Sequence, residues 1–262
     1  MNILVIGNSY ENIVALIKAS KHDFKLYTAS DNPTDGVPNI VFKNISELIE
    51  KAKILQIDIS INLNELLILD NICEEFKKNK LNLVSINKKW LNLETSRLAT
   101  KKLMECYSIN FPKIIKIPIN FPVIMKSDSF EINTKILSQD ELIDKLKLYK
   151  NIKTFFEEYL NDEEYSLISF WDGKNIFHLN PPQNMTEVQF DRFDLFKTKL
   201  NFLLSDEKAD FTGFFTTKLV WAKNDWYIDD FKMIGDLPAI PSTKYDFLQI
   251  LNCLIYQHLN EL

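Results

Sequence analysis

Two hydrophobic periodicities alternate along the first third of the chain. Apolar runs of four or five residues predict buried strands, and segments with an apolar residue every three or four positions predict helices. Strands are predicted at 3–6, 24–28, 57–61 and 83–85, with helices near 13–17 and at 46–55 and 66–79. Because alternating strands and helices favour right-handed βαβ units, we predict a parallel α/β lobe at residues 1–90.

The remainder of the chain has a different pattern. A helix at 94–107 and an extended linker with Pro112 and Pro118 precede a small lobe, so that residues 91–155 form one unit. That lobe holds a strand at 123–126 and an amphipathic helix at 139–149, with Leu142 and Leu146 on one face. Residues 156–262 are predicted to form an antiparallel lobe. Its elements are strands at 154–158, 164–171, 175–179, 213–221 and 226–231, a hairpin turn at 222–225 and a helix at 245–260.

Composition restricts the class of protein. Of the 262 residues, 46% are hydrophobic and 26% are charged, which is ordinary for a soluble globular chain. A net charge of −5 argues against a nucleic-acid partner, and no apolar run approaches the roughly 18–20 residues of a membrane span. The first residues lack a charged n-region, and the three cysteines have no Cys-x-x-Cys spacing. We therefore expect free thiols and a cytoplasmic location.

Glycine is scarce, with five residues in the whole chain and no two of them within ten positions of each other. A phosphate-binding loop normally needs clustered glycines, because its backbone amides must approach the anion without interference from a Cβ atom. The sequence therefore excludes a conventional glycine-rich phosphate loop.

Five short motifs occur in one order along the chain. They are SRLATK at 96–101, FPVIMK at 121–126, EEYLNDEEYS at 157–166, WDGK at 171–174, and YIDDF at 227–231 with GD at 235–236. In this order they resemble the glycinamide ribonucleotide synthetases (phosphoribosylamine–glycine ligases), over roughly residues 2 to 240. The resemblance implies an ATP-grasp fold, of mixed α/β and α+β class, with a Rossmann-like N-terminal lobe.

The resemblance also implies a nucleotide site. Glu157, Glu158, Tyr159 and Leu160 would form an interlobe hinge whose backbone pairs with adenine, and Glu164 would bind the ribose hydroxyls. These residues would then bind ATP through the base and the sugar.

At the positions where the family binds phosphate and metal, some residues of this chain match the family and others replace its residues. Lys126 would bind the α- and β-phosphates, and Arg97 stands where the family has a lysine, which keeps the charge but changes the geometry. The family's magnesium pair falls on Asp229 and Phe231, and a phenyl ring cannot bind Mg²⁺. We therefore expect Asp229 to be at most a weak metal ligand, with Asp230 on the opposite face by strict strand alternation.

Further departures concern the loops. The segment after Lys126, SDSFEIN, lacks the family's glycine-rich lid and adds Glu131. Residues 8–12 lack the phosphate loop that the family has after its first strand, and the segment 178–184 stands in place of the family's substrate loop. The family's C-terminal domain has no counterpart in this sequence. The resemblance therefore implies a truncated chain with a degraded active site, and His178 is interpreted as a strand histidine.

Three functions remain open. We favour a divergent, noncatalytic or altered homologue that binds ATP weakly at most, with little need for Mg²⁺. The first alternative is an active ATP-dependent carboxylate–amine ligase that forms an acyl phosphate on an unknown substrate. The second is a scaffolding protein whose interlobe groove is closed and which binds an unknown protein partner.

Overall fold

A computed structural model of the chain describes residues 1–129, 131–160, 163–235, 237–238 and 245–262. The first unit is a parallel sheet in the order β2-β1-β3-β4. Its strands are β1 (Asn2–Ile6), β2 (Lys25–Ala29), β3 (Ile59–Asn62) and β4 (Leu83–Val84). The helices are α1 (Glu11–Lys18), α2 (Ile45–Ile54), α3 (Glu65–Leu69) and α4 (Ile72–Lys78). All four residues of β3 are buried, as expected for a strand covered on both faces.

Two predicted helices have different bounds in the structure. The helix expected at 66–79 is divided into α3 and α4, because Asn71 adopts a left-handed conformation with φ of 64°. Asparagine tolerates this conformation better than most residues. The helix expected at 94–107 is preceded by a separate helix, α5 (Lys88–Thr95), and begins only at Arg97 as α6 (Arg97–Cys106). Ser96 is extended between them, and its hydroxyl accepts a hydrogen bond from the Ala99 amide at 3.1 Å.

The middle unit is an antiparallel sheet in the order β5-β8-β6-β7. It contains β5 (Ile114–Ile115), β6 (Val123–Ser127), β7 (Asn133–Ile136), α7 (Gln139–Leu148) and β8 (Thr154–Glu158). Helix α7 buries Leu142 against the sheet, and Leu146, four residues further along the same face, is 42% exposed. Strand β7 was not predicted, because its sequence NTKI has no run of apolar residues.

The last unit is a second antiparallel sheet, ordered β10-β9-β11-β12. Its elements are β9 (Glu164–Trp171), β10 (Ile176–His178), α8 (Glu187–Asp206), β11 (Gly213–Ala222), β12 (Asp225–Lys232) and α9 (Phe247–Ile255). A short 3₁₀ helix follows at Leu259–Glu261. In the predicted hairpin turn, Lys223 and Asn224 both have positive φ angles, as a type I′ turn requires.

Helix α8 is absent from the sequence prediction. It buries Phe193, Leu200 and Leu204, but Leu195 and Phe202 lie on its exposed face, which obscures the helical period. It has 20 residues, and none of the described helices combines the length and apolarity of a membrane span.

The N-terminal and C-terminal sheets share their hydrophobic cores. One core joins Leu4 and Ile6 of β1 to Leu219 of β11, and the other joins Ile3 and Val5 to α9. The middle sheet has a separate small core. The mixed α/β and α+β class is therefore confirmed, and the domain boundaries near residues 90 and 155 stay a prediction.

Candidate functional site

Charged side chains from four elements meet in the groove between the middle sheet and the C-terminal sheet. Lys126 projects from β6, Glu157 from β8 and Asp229 from β12. Arg97 and Lys101 come from the first turn and a half of α6, where a spacing of four places both on one helix face. The fold thus brings residues from distant parts of the chain into one cluster.

Lys126 lies at the centre of this cluster, and its side chain is 0% exposed. Its ammonium nitrogen is 2.9 Å from Asp229 Oδ1, 3.0 Å from the Asp229 main-chain oxygen and 3.1 Å from Glu157 Oε2. Burial alone would lower the pKa of Lys126. Glu157 and Asp229 outweigh burial and raise that pKa above its usual value, so Lys126 is a paired cation.

Glu157 bridges two lysines. Its carboxylate is 0% exposed and lies 2.9 Å from Lys101 Nζ through one oxygen and 3.1 Å from Lys126 Nζ through the other. Burial lowers the pKa of Lys101, and the nearby Glu157 only partly offsets this. Lys101 was quoted in a sequence motif but was not predicted as a site residue, although its spacing from Arg97 was an available signal.

Arg97 holds the turn between β6 and β7. Its guanidinium donates hydrogen bonds to the main-chain oxygens of Ser127 at 3.0 Å and Ile132 at 2.9 Å, and it lies 3.4 Å from Asp230 Oδ2. The residue is buried, so these contacts replace water. The geometry therefore gives Arg97 a structural task at the position where a phosphate ligand was predicted.

Strand β12 has an irregular register at the cluster. Lys218 of β11 pairs with Asp230 and Leu219 pairs with Ile228, which leaves Asp229 as an extra residue. Such a bulge changes the direction of side chains. Asp229 contacts Lys126 and Asp230 contacts Arg97, so both carboxylates enter the groove. The expectation that Asp230 faces away by strict alternation was therefore wrong.

Phe231 occupies the second predicted metal position. Its ring is 2% exposed and stacks on Phe215 with centroids 5.0 Å apart, so it belongs to the hydrophobic core. Met233, which follows on the same segment, is also buried. Within the described parts of the chain, no three acidic, histidine or cysteine side chains are placed to hold a metal ion.

The predicted hinge residues lie at the edge of the same groove. Glu158 accepts a hydrogen bond from the Lys113 amide at 3.1 Å and pairs with Lys223. The ring of Tyr159 lies 3.7 Å from Lys135 Nζ. Leu160 follows and is half-buried. Four residues of the sequence motifs and the lid segment lie outside the described residues, namely Phe130, Asn161, Asp162 and Asp236.

Glu164, the predicted ribose ligand, begins β9. It pairs with Lys218 at 2.8 Å and is 57% exposed. Lys218 also lies 3.8 Å from Asp229, so Glu164 is joined to the central cluster through this lysine.

Comparison with known proteins identifies the fold. The phosphoribosylamine–glycine ligase of Fusobacterium nucleatum is 24% identical over 322 residues, covering 100% of this chain and 75% of that protein. The crystal structure of the phosphoribosylamine–glycine ligase of Thermotoga maritima superposes with a TM-score of 0.71 at 16% identity, covering 100% of this chain and 76% of that one. The chain has the ATP-grasp fold.

Other ATP-grasp structures are similar at comparable distance. The N5-carboxyaminoimidazole synthetase of Staphylococcus aureus, crystallised with ADP, has a TM-score of 0.66 at 16% identity and covers 97% of this chain and 76% of its own. No protein-family model matches the sequence. Identities of this size establish the fold and leave the individual site residues to be argued from the geometry.

ATP and Mg²⁺ are the groups that an ATP-grasp fold implies, and the residues present fit them poorly. In the central cluster of the described residues, four cations face four carboxylates, so these eight side chains together provide no net positive charge for a triphosphate. The cations are Arg97, Lys101, Lys126 and Lys218, and the anions are Glu157, Glu164, Asp229 and Asp230. The cleft between α6 and β12 leaves only about 20 Å³ for water-sized molecules. With Phe231 in the core and both aspartates paired to cations, the residues do not fit Mg²⁺.

The other departures noted in the sequence have local structural explanations. Glu11 begins α1, and its carboxylate accepts a hydrogen bond from the Tyr10 amide at 3.1 Å, which places a negative charge at the helix N-terminus. His178 ends β10 as expected, and its Nδ1 lies 2.9 Å from the Ser169 hydroxyl oxygen. Burial lowers the pKa of His178 to about 4.

Proposed function

We propose that this chain is a divergent ATP-grasp protein without ligase activity, whose groove binds nucleotides weakly and with little dependence on Mg²⁺. The similarity to phosphoribosylamine–glycine ligases supports a ligase-like ancestry. Lys126 and Glu157 still meet in the groove, but they neutralise each other instead of facing an open phosphate site.

One observation carries this proposal. Lys126 already donates two hydrogen bonds to oxygens of Asp229, and the Glu157 carboxylate lies 3.1 Å from the same nitrogen. Mg²⁺ usually binds substrate phosphates through one or two carboxylates, and here the two candidates, Asp229 and Asp230, are each paired to a buried cation. Binding a Mg²⁺–triphosphate complex would therefore require several buried ion pairs to break.

Calorimetric titration of the wild-type protein with ADP and with ATP, each with and without Mg²⁺, tests the proposal. We expect weak binding in all four experiments, with ADP and ATP within about tenfold of each other, that is, about 1.4 kcal/mol. A Mg²⁺-dependent preference for ATP beyond tenfold would mean that a working metal site exists.

The first alternative is an active ATP-dependent carboxylate–amine ligase. It is favoured by the survival of Arg97, Lys126, Glu157 and Glu164 around one groove. In an active ligase, substrate binding would have to break the ion pairs of these residues so that they could bind phosphate. Release of inorganic phosphate from ATP on addition of a carboxylate and an amine would support it, and the titration above would show the matching Mg²⁺ dependence.

The second alternative is a scaffolding role with a closed groove. It is favoured by contacts that join the middle sheet to the C-terminal sheet, namely Lys126 to Asp229 and Glu158 to Lys223. An unknown protein partner would then bind elsewhere on the surface. We also infer a cytoplasmic location and no nucleic-acid partner, from the net charge of −5 and the free thiols of Cys73, Cys106 and Cys253.

A further inference from the structure

Lys126 is already engaged by protein oxygens without any ligand. A lysine ammonium group has three hydrogens and no acceptor, so it makes at most three directed hydrogen bonds. In the described structure two of these go to Asp229, and Glu157 Oε2 lies 3.1 Å from the same nitrogen as an ion-pair partner. A phosphate oxygen that approaches Lys126 would therefore compete chiefly with Asp229.

The bulge in β12 explains how Asp229 supplies two of these oxygens. The register passes from the Leu219–Ile228 pair to the Lys218–Asp230 pair, so Asp229 has no partner residue in β11. Its main-chain oxygen is therefore free to accept from Lys126, and its carboxylate points to the same nitrogen. A regular strand would send one of these two groups away from the groove.

The two carboxylates that hold Lys126 differ in how easily they can leave. Glu157 is 0% exposed and is also paired with Lys101, so it has no path to water. Asp229 is 16% exposed and has a second cation, Lys218, 3.8 Å from its other carboxylate oxygen. The Asp229 side chain can thus leave Lys126 and remain paired, whereas Glu157 cannot.

We propose that Asp229 is an internal competitor for Lys126, and that the groove binds a phosphate-type anion only when the Asp229 carboxylate is displaced. The Asp229 carboxylate then occupies the position that an anion would take on this lysine. This inference rests on the proposed function in one respect, since it takes the wild-type groove to bind such anions weakly.

The test is calorimetric titration with inorganic pyrophosphate, without Mg²⁺, of the wild-type protein and of the full-length variant Asp229→Asn. Removing the competing charge should raise the affinity for pyrophosphate by about tenfold or more, because the carboxylate no longer competes with the anion for Lys126. Asp229→Ser serves as a second variant if the amide disturbs folding, which far-UV circular dichroism would detect.

Two further variants make the result specific. Asp230→Asn removes a neighbouring charge of the same strand that pairs with Arg97 instead, and it should give no comparable gain. The double variant Lys126→Met/Asp229→Asn should lose the gain. Unchanged affinity in both Asp229 variants, an equal gain in Asp230→Asn, or a gain that survives loss of Lys126 would each overturn the inference. A strong Mg²⁺-dependent preference of the wild type for ATP would instead contradict the proposed function, so the two failures are distinguishable.

Discussion

The substitution Glu157→Gln should destabilise the protein severely, because it leaves two lysines in the groove without their shared counter-charge. Glutamine has nearly the same shape, so the change isolates charge from packing. In the native structure the Glu157 carboxylate lies 2.9 Å from Lys101 Nζ and 3.1 Å from Lys126 Nζ, and all three side chains are almost fully buried. Asp229 would then remain as the carboxylate in direct contact with Lys126.

The size of the expected loss in stability follows from the distances between these charged groups. Coulomb's law with an effective dielectric constant of about 20 gives roughly 5–6 kcal/mol for each unit-charge pair at this separation. Desolvation of the three groups offsets much of this attraction in the wild type, so the pairs add little net stability. Removing one partner leaves the desolvation cost uncompensated, and the expected loss in the free energy of unfolding is about 3–5 kcal/mol.

Urea denaturation followed by tryptophan fluorescence and circular dichroism measures this loss. The matched control is Glu75→Gln, which makes the same chemical change in an exposed pair with Lys78 at 2.7 Å and should cost less than about 1 kcal/mol. A loss below about 1 kcal/mol for Glu157→Gln as well would refute the reasoning. It would mean that water reaches the lysines or that Glu157 is not charged between them.

Three further predictions concern pH dependence, activity and the role of Arg97. Burial lowers the pKa of His178 to about 4, so as pH falls below about 6.5 the unfolded state binds a proton that the folded state does not. The free energy of unfolding should therefore drop by about 2.5 kcal/mol between pH 7 and pH 4.5. Urea denaturation of His178→Asn should lack this part of the loss. The gene should not complement a purine-auxotrophic strain that lacks phosphoribosylamine–glycine ligase, because residues 8–12 do not carry the phosphate loop that those ligases have; growth without added purine would contradict this. Arg97→Lys should lower stability by about 1–3 kcal/mol through loss of a hydrogen bond to the β6–β7 turn, and an unchanged melting midpoint would show that the turn does not depend on it.

The sequence predicted the strands best where burial on two faces produced continuous apolar runs. Strand β1 was predicted to within one residue for this reason. The breaks at Asn71 and Ser96 were missed, because single residues with unusual backbone angles do not change the hydrophobic period. Helix α8 was missed because Leu195 and Phe202 make its exposed face apolar.

The candidate groove was predicted through motif order, and its chemistry was not. The order of the motifs placed Lys126, Glu157 and Asp229 at one site, and the structure gathers them there. Their mutual pairing could not be predicted, because a buried ion pair joins residues far apart in sequence and leaves no local pattern. The bulge at Asp229 also depends on the register between β11 and β12, which the alternation of side chains alone does not specify.

Nuclear magnetic resonance of the lysine ammonium groups tests most directly whether the Lys126 ammonium group is held by protein oxygens when no ligand is present. In a sample labelled with ¹⁵N-lysine, the Lys126 ammonium signal can be assigned by its loss in Lys126→Met. Because this group is buried and hydrogen-bonded to Asp229, its protons should exchange slowly and its signal should be visible without ligand. The account predicts that the signal is visible without ligand and that ATP affects it equally with and without Mg²⁺. A signal that appears or shifts only when Mg²⁺ and ATP are both present would contradict the account.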